Sequence, residues 1–128
     1  MTQSQFNSMI NKNQGLTIFL DRMISHAQDA ILFLNDKTQA DYLRDHYCQK
    51  AVAMSLQIVG ENASKISRKF PEFIEANSDI PWREIRGLRN QISHGYDDLN
   101  LIDIWHITKK NIPPLLEQLK EQLKIQVK

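Results

Sequence analysis

Within eight consecutive residues, Arg89-Asn90-Gln91-Ile92-Ser93-His94-Gly95-Tyr96, the sequence places a guanidinium, an amide, an imidazole and a phenol. An imidazole titrates near ~6.5 in water and so takes or gives a proton at neutral pH. A guanidinium grips two phosphoryl oxygens at once and stabilises charge building on them. Together they suit one reaction that needs no metal, cleavage of an RNA phosphodiester through its own 2′-hydroxyl. Arg89 and His94 are the pair to carry it, with Asn90 adding a hydrogen bond or orienting the imidazole. Arg83, Arg86 and Arg89 recur every third residue, a cationic stripe over a ~120° arc that could hold RNA phosphates. The same residue types also occur at ordinary solvated helix ends.

Spacing sharpens that choice. Arg89 and His94 are five residues apart, or ~140° around a regular helix, so they do not share a face if the helix runs on. The stretch works as a site only where the helix stops. The imidazole can then swing back towards the guanidinium, or meet its symmetry mate across a dimer. Gly95 stands where a glycine often closes a helix.

The elements around this stretch read as helices. Apolar residues at Leu16, Phe19/Leu20, Met23, Ala27, Ala30/Ile31 and Leu34 follow the three-four spacing of a helix with one buried face, ended by Asn35-Asp36-Lys37. Residues 1–14 are polar with scattered Phe6, Met9 and Ile10, and read as a loosely packed arm or a short helix. Thr38 is a candidate N-cap with Asp41 as its capping-box partner, opening a long second helix. Its expected stripe is Tyr47, Ala51, Met54, Ile58, Ala63 and Ile66, and Gly60 within it implies close packing by a neighbour. Pro71 limits that helix, and residues 73–79 read as a connection. Ser78 or Asp79 then caps a third helix with Pro81 in its first turn, carrying Trp82, Ile85 and Leu88. Leu101, Trp105, Ile112, Leu115/Leu116, Leu119 and Leu123 mark a last pattern, one kinked helix or two, because Pro113-Pro114 cannot sit inside a straight one. The expected fold is all-α: one domain over residues 1–128, an up-and-down bundle of four to five helices.

Composition narrows the function classes. The chain has 128 residues, 41% of them hydrophobic and 24% charged, and only four Gly and four Pro, which argues against a turn-rich β-sandwich. Sixteen Lys/Arg against fifteen Asp/Glu leave a net charge of +1. A protein that binds nucleic acid by overall charge is usually more basic, so RNA binding here has to use a local patch, and DNA is not expected. The single cysteine, Cys48, excludes an internal disulfide and a cysteine-rich zinc site, and reads as a buried small side chain. His26, His46 and His106 have no partner at a recognised metal spacing and read as surface or structural residues. No metal or nucleotide cofactor is expected. With no leader pattern and no apolar run near ~20 residues, the expectation is a cytoplasmic protein without a membrane span.

The string Ile80-Pro81-Trp82-Arg83-Glu84-Ile85-Arg86-Gly87-Leu88-Arg89-Asn90, then Ser93-His94-Gly95-Tyr96, resembles the signature of HepT-type HEPN toxins. The likeness extends upstream to Ile58-Val59-Gly60-Glu61-Asn62-Ala63 and downstream to Trp105 and Asn111-Ile112-Pro113-Pro114-Leu115, covering about residues 40 to 120. The resemblance implies the toxin of a type VII toxin–antitoxin pair, a metal-independent endoribonuclease. It implies a homodimer in which both motifs face one cleft, and an MntA-like nucleotidyltransferase antitoxin as partner. Arg89 and His94 match the family's catalytic pair and Asn90 the polar residue beside it. Tyr96 matches the tyrosine to which the antitoxin transfers AMP, and Glu61 is a candidate to support the pair. Asn62 departs from the family's usual Ala, and Gly95 makes the step from His94 to Tyr96 freer. The family also includes non-catalytic members that serve as binding or substrate-positioning partners of nucleotidyltransferases, and that is the alternative reading.

Overall fold

The computed structural model describes residues 2–127, and the side chains of residues 6–14 lie outside that description. Among the described residues there is no strand. The helices are α1 (Gln3–Leu34), α2 (Gln39–Arg44), α3 (His46–Lys69), α4 (Pro71–Ala76), α5 (Trp82–His94), α6 (Leu101–His106) and α7 (Ile112–Gln126). The long ones, α1, α3, α5 and α7, build the bundle. The four or five helices expected become four long helices plus short segments that turn the chain.

Helix α1 starts earlier than its apolar stripe. Thr2 caps it, its hydroxyl accepting from the Gln5 amide at 3.1 Å while the Gln5 side chain accepts from the Thr2 amide at 2.8 Å. Residues 3–14 are therefore helical and continuous with α1, and the side chains of Phe6, Met9 and Ile10 fall outside the described residues. From Leu16 to Leu34 the expected stripe is buried, and it faces α3 and α7. Each such side chain contributes about 1.5–3 kcal/mol by leaving water.

The second helix is not one helix. Thr38 and Asp41 form the expected capping box, at 3.1 and 3.3 Å. The chain then breaks at Asp45, whose backbone is extended and whose carboxylate accepts from the Cys48 amide at 3.0 Å. Lys37 donates to the same carboxylate at 3.1 Å. Asp45 thus restarts the helix as α3, and the buried face becomes Cys48, Val52, Leu56, Val59, Ala63 and Ile66. Tyr47 and Met54, expected in that stripe, stand out in solvent at 89% and 57% exposure. Cys48 is buried, its thiol directed at the Phe33 carbonyl 3.4 Å away.

Helix α3 packs on α5 at Gly60. A Cβ built there would lie 2.9 Å from both the Arg89 amide nitrogen and the Ile85 carbonyl oxygen. Only a residue without a side chain lets the two backbones meet, as the mid-helix glycine suggested. Beyond α3, Pro71 opens the short α4 where a plain connection was expected, and Phe73 in it packs edge-on to Trp82 with centroids 5.9 Å apart. Helix α5 begins at Trp82 with no side-chain cap, so neither Ser78 nor Asp79 plays that part. Instead the Trp82 indole donates to the Asn77 carbonyl at 3.0 Å and anchors the turn.

The C-terminal pattern is one rod. Asn100 caps α6, a π-helical turn over Ile107–Asn111 follows without leaving helical backbone, and α7 carries Pro113 and Pro114 in its first turn. The wider turn accommodates the two missing amide donors, so helical backbone continues through it. Tyr42, fully buried, ties this rod to α2: its hydroxyl donates to the Leu101 carbonyl at 2.9 Å and its ring leans on Trp105, 5.4 Å between centroids. Burial pushes the Tyr42 phenol up to about 12, helped by the neighbouring Tyr96 and Cys48. No helix among the described residues is long and apolar enough to cross a membrane.

Two measurements test these contacts. Gly60→Ala gains about 1 kcal/mol of helix propensity but must force apart two backbone atoms, an overpacking penalty of about 1–3 kcal/mol. The variant is expected to melt several degrees lower, and a Tm at or above wild type would show that α3 and α5 separate freely. Because the folded Tyr42 phenol holds its proton above the ordinary value of 10.0, its contribution is complete below pH ~10 and is lost as pH rises towards ~12. An alkaline absorbance titration should show a last tyrosine step, after that of Tyr96, that disappears in Tyr42→Phe.

Candidate functional site

Helix α5 buries Trp82, Ile85, Leu88 and Ile92 against the bundle and turns its other side out. At 100° per residue, Arg83, Arg86, Arg89, Asn90, Ser93 and His94 span the outward arc of about 140°. Arg89, Asn90 and His94 are all exposed. Their side chains make no ion pair or hydrogen bond among the described residues. Asn90 and His94 are one turn apart, as are Arg86 and Asn90, so the amide lies between the cations and the imidazole.

Arg89 and His94 occupy opposite margins of this face. Arg89 and Arg86 line a groove against α3, together with Glu61, Lys65 and Arg68. His94 lines a different cavity, against α6 and the π turn, with Gln91, Asp98 and Asp103. Arg83 divides from the rest of the stripe: it lines a third cavity towards the rod, sharing Gln91 with the His94 cavity. A protomer alone does not bring the guanidinium and imidazole together. Glu61 shares the groove with both arginines without forming an ion pair to either among the described residues.

The helix does stop at His94, but Gly95 does not close it in the left-handed conformation. Its φ is −175° and ψ is 77°, extended backbone open to any residue, and an added Cβ would meet only ordinary contacts with Asp98. The stop comes from the turn that follows, in which the Asp98 amide donates to the Gly95 carbonyl and the Leu99 amide to the Tyr96 carbonyl, both at 3.0 Å. One turn earlier the Ser93 hydroxyl donates to the Arg89 carbonyl at 2.6 Å.

After that turn Tyr96 and His94 line different cavities. The phenol is half-buried in a cavity with Lys50, Met54, Gln57 and Ile92, near Tyr42. Burial raises its proton affinity and Asp97 adds to the effect. A phenol in that condition is a poor nucleophile until a base takes its proton. Sequence reading missed Lys65 and Arg68 as neighbours of the motif. Their signal was present as a basic end to the helix before Pro71, but helix-dipole compensation explained it equally well. No three His, Cys, Asp or Glu side chains among the described residues are placed to hold a metal ion.

Comparison with known proteins identifies the family. The sequence pattern of the family described as "Ribonuclease HepT-like" matches residues 23–122. A protein of Methanocaldococcus jannaschii named as a candidate RNase is 31% identical over 106 residues, covering 83% of this chain and 85% of the relative. One of Caldanaerobacter subterraneus with the same kind of name is 31% identical over 105 residues, 82% of this chain and 91% of the relative. A protein of Thermococcus cleftensis, named as a probable ribonuclease HepT, is 33% identical over 75 residues, 59% of this chain and 66% of the relative. No solved structure matches the chain. With 100 of its 128 residues under the family pattern and relatives of this identity along most of its length, the chain belongs to the HepT-like ribonuclease family.

Proposed function

We propose that the chain is a metal-independent endoribonuclease that works as a homodimer, with the outward faces of two α5 helices forming one cleft. The observation that carries this reading is the outward face itself. Arg89, Asn90 and His94 are held on a regular helix, exposed, and used by nothing else among the described residues. A second copy facing the first supplies what the protomer lacks, an arginine from one subunit opposite the histidine of the other.

In such a cleft Arg89 binds the non-bridging oxygens of the scissile phosphate and stabilises the charge that grows on them. One His94 takes the proton from the ribose 2′-hydroxyl, whose oxygen then attacks phosphorus. The bond to the 5′-oxygen breaks, and the second His94 returns a proton to that leaving group. The products are a 2′,3′-cyclic phosphate and a 5′-hydroxyl. Asn90, one turn from His94, orients the imidazole, and Arg83 and Arg86 hold flanking phosphates from the two sides of α5.

Control by an MntA-like nucleotidyltransferase antitoxin completes the reading, the pair acting as a type VII toxin–antitoxin system. The Tyr96 oxygen attacks the α-phosphorus of ATP, the α–β anhydride bond breaks, pyrophosphate leaves, and a base on the antitoxin takes the phenol proton. The adenylyl group adds bulk and negative charge two residues from His94, where RNA phosphates must enter.

Cleavage of RNA should persist in EDTA and fall at least about 100-fold in His94→Ala, the lower range for loss of a general acid–base, with the circular dichroism unchanged. Wild type that binds a nucleotidyltransferase yet cuts no RNA at any concentration would instead identify a non-catalytic positioning partner. After co-expression with the antitoxin, intact mass should rise in multiples of one AMP in wild type and not in Tyr96→Phe. An antitoxin that is bound and active while wild type stays unmodified removes the control step alone.

A further inference from the structure

The groove between α3 and α5 concentrates charge in a way the catalytic reading does not require. Lys65 and Arg68 on α3 face Arg86 and Arg89 on α5. Four of the chain's 16 Lys and Arg thus share a groove of about 670 Å³ in a protein whose net charge is only +1. Glu61 is the lone carboxylate in the lining, and no ion pair forms there among the described residues. Gathering like charges without counter-ions costs stability, so the arrangement needs a ligand to explain it.

The surroundings say what kind. The cationic surface continues from the groove across the Phe19 ring, with Lys65, Lys69 and Arg22 at 5.8, 5.2 and 6.0 Å from its centroid. The aromatic face holds these cations in place without neutralising them. Ser64 and Ser67 line the same groove, and Ser64 offers a hydroxyl for a phosphate oxygen. No exposed aromatic lines it and Phe19 is buried, so there is no platform on which a base could stack. A ligand here is read by its charge and not by its bases. Arg89 belongs both to this groove and to the reactive face, so a phosphate chain held at Arg89 passes directly into the groove.

We propose that the α3–α5 groove is a backbone-phosphate subsite for single-stranded RNA beside the scissile bond, with Lys65 and Arg68 as its binding residues. The subsite rests on the ribonuclease reading of Arg89 and His94. It extends the substrate contact from one helix to two and makes it independent of sequence. Lys65 and Arg68 bind; they do not touch the reacting atoms.

The test uses the full chain and an uncleavable 2′-O-methyl oligonucleotide, followed by fluorescence anisotropy across a salt series. Lys65→Gln/Arg68→Gln should weaken binding about tenfold at low salt and lower the slope of log affinity against log salt by about 1.4, the value for two lost phosphate contacts on a single strand. Lys65→Arg/Arg68→Lys should restore most of both. In cleavage of the unmodified strand the Gln pair should raise KM and leave kcat nearly unchanged. A dinucleotide too short to leave the scissile site should not distinguish it from wild type. Wild-type affinity and slope in the Gln pair would overturn the subsite. So would intact RNA binding accompanied by lost binding to an acidic nucleotidyltransferase, which would make the groove a protein interface. Failure of wild type itself to cut the unmodified strand would sink the ribonuclease reading, which the binding data do not depend on.

Discussion

The backbone contact at Gly60 sets the position of everything chemical in this protein. Because no Cβ intervenes, α3 and α5 touch through main-chain atoms, and the Arg89 amide is fixed within 2.9 Å of where a side chain would begin. Helix α5 buries only one side. Its outward face is determined by where α3 lets it sit. The groove that holds Arg86 and Arg89 is the rim of the same contact, so its width follows from backbone geometry and not from side chains that could repack. Phosphate oxygens entering such a groove meet cations whose supports are already ordered, which lowers the cost of binding.

Much of the fold can be seen in the sequence where one rule acts alone. The α1 stripe, the Thr38–Asp41 box and the close approach at Gly60 each follow from local spacing and appear as expected. The discrepancies arise where two rules compete. Asp45 is compatible with a continuing helix, but it also caps a new one and binds Lys37, and the first part of α3 buries Cys48, Val52 and Leu56 in place of the expected Tyr47 and Met54, while Ala63 and Ile66 are buried as expected. Periodicity cannot detect the difference, because Tyr47 and Met54 keep helical spacing on the exposed side. Gly95 reflects a similar limit: its position at a helix end is right, but the turn that follows, and not a left-handed glycine, ends the helix.

The residue types of the motif are legible in the sequence, and the arrangement of their neighbours is not. Residue types alone placed Arg89, Asn90 and His94 together on an exposed segment, and helical angles correctly kept the arginine and histidine apart. The tripartite layout was hidden, because it depends on which neighbour each margin of α5 meets. Arg89 faces α3, His94 faces the rod, and Tyr96 is turned towards the start of α3 beside Met54. The exposed apolar line through Tyr47 and Met54 therefore runs up to the tyrosine proposed as the point of control.

The two tryptophans have a consequence of a different kind. Trp82 is buried at the start of α5, its indole bonded to Asn77 and its ring set against Phe73. Trp105 is half-exposed at the other end of the bundle, with the Tyr42 ring 5.4 Å on one side and the Lys109 ammonium 4.9 Å from its centroid. One indole therefore emits from an apolar environment and the other from a wet one beside a cation and a phenol donor. The chain carries its own pair of optical probes, one on the helix that presents the motif and one on the rod that braces it. With either indole replaced by Phe, light from the other reports whether an event at one end is felt at the other.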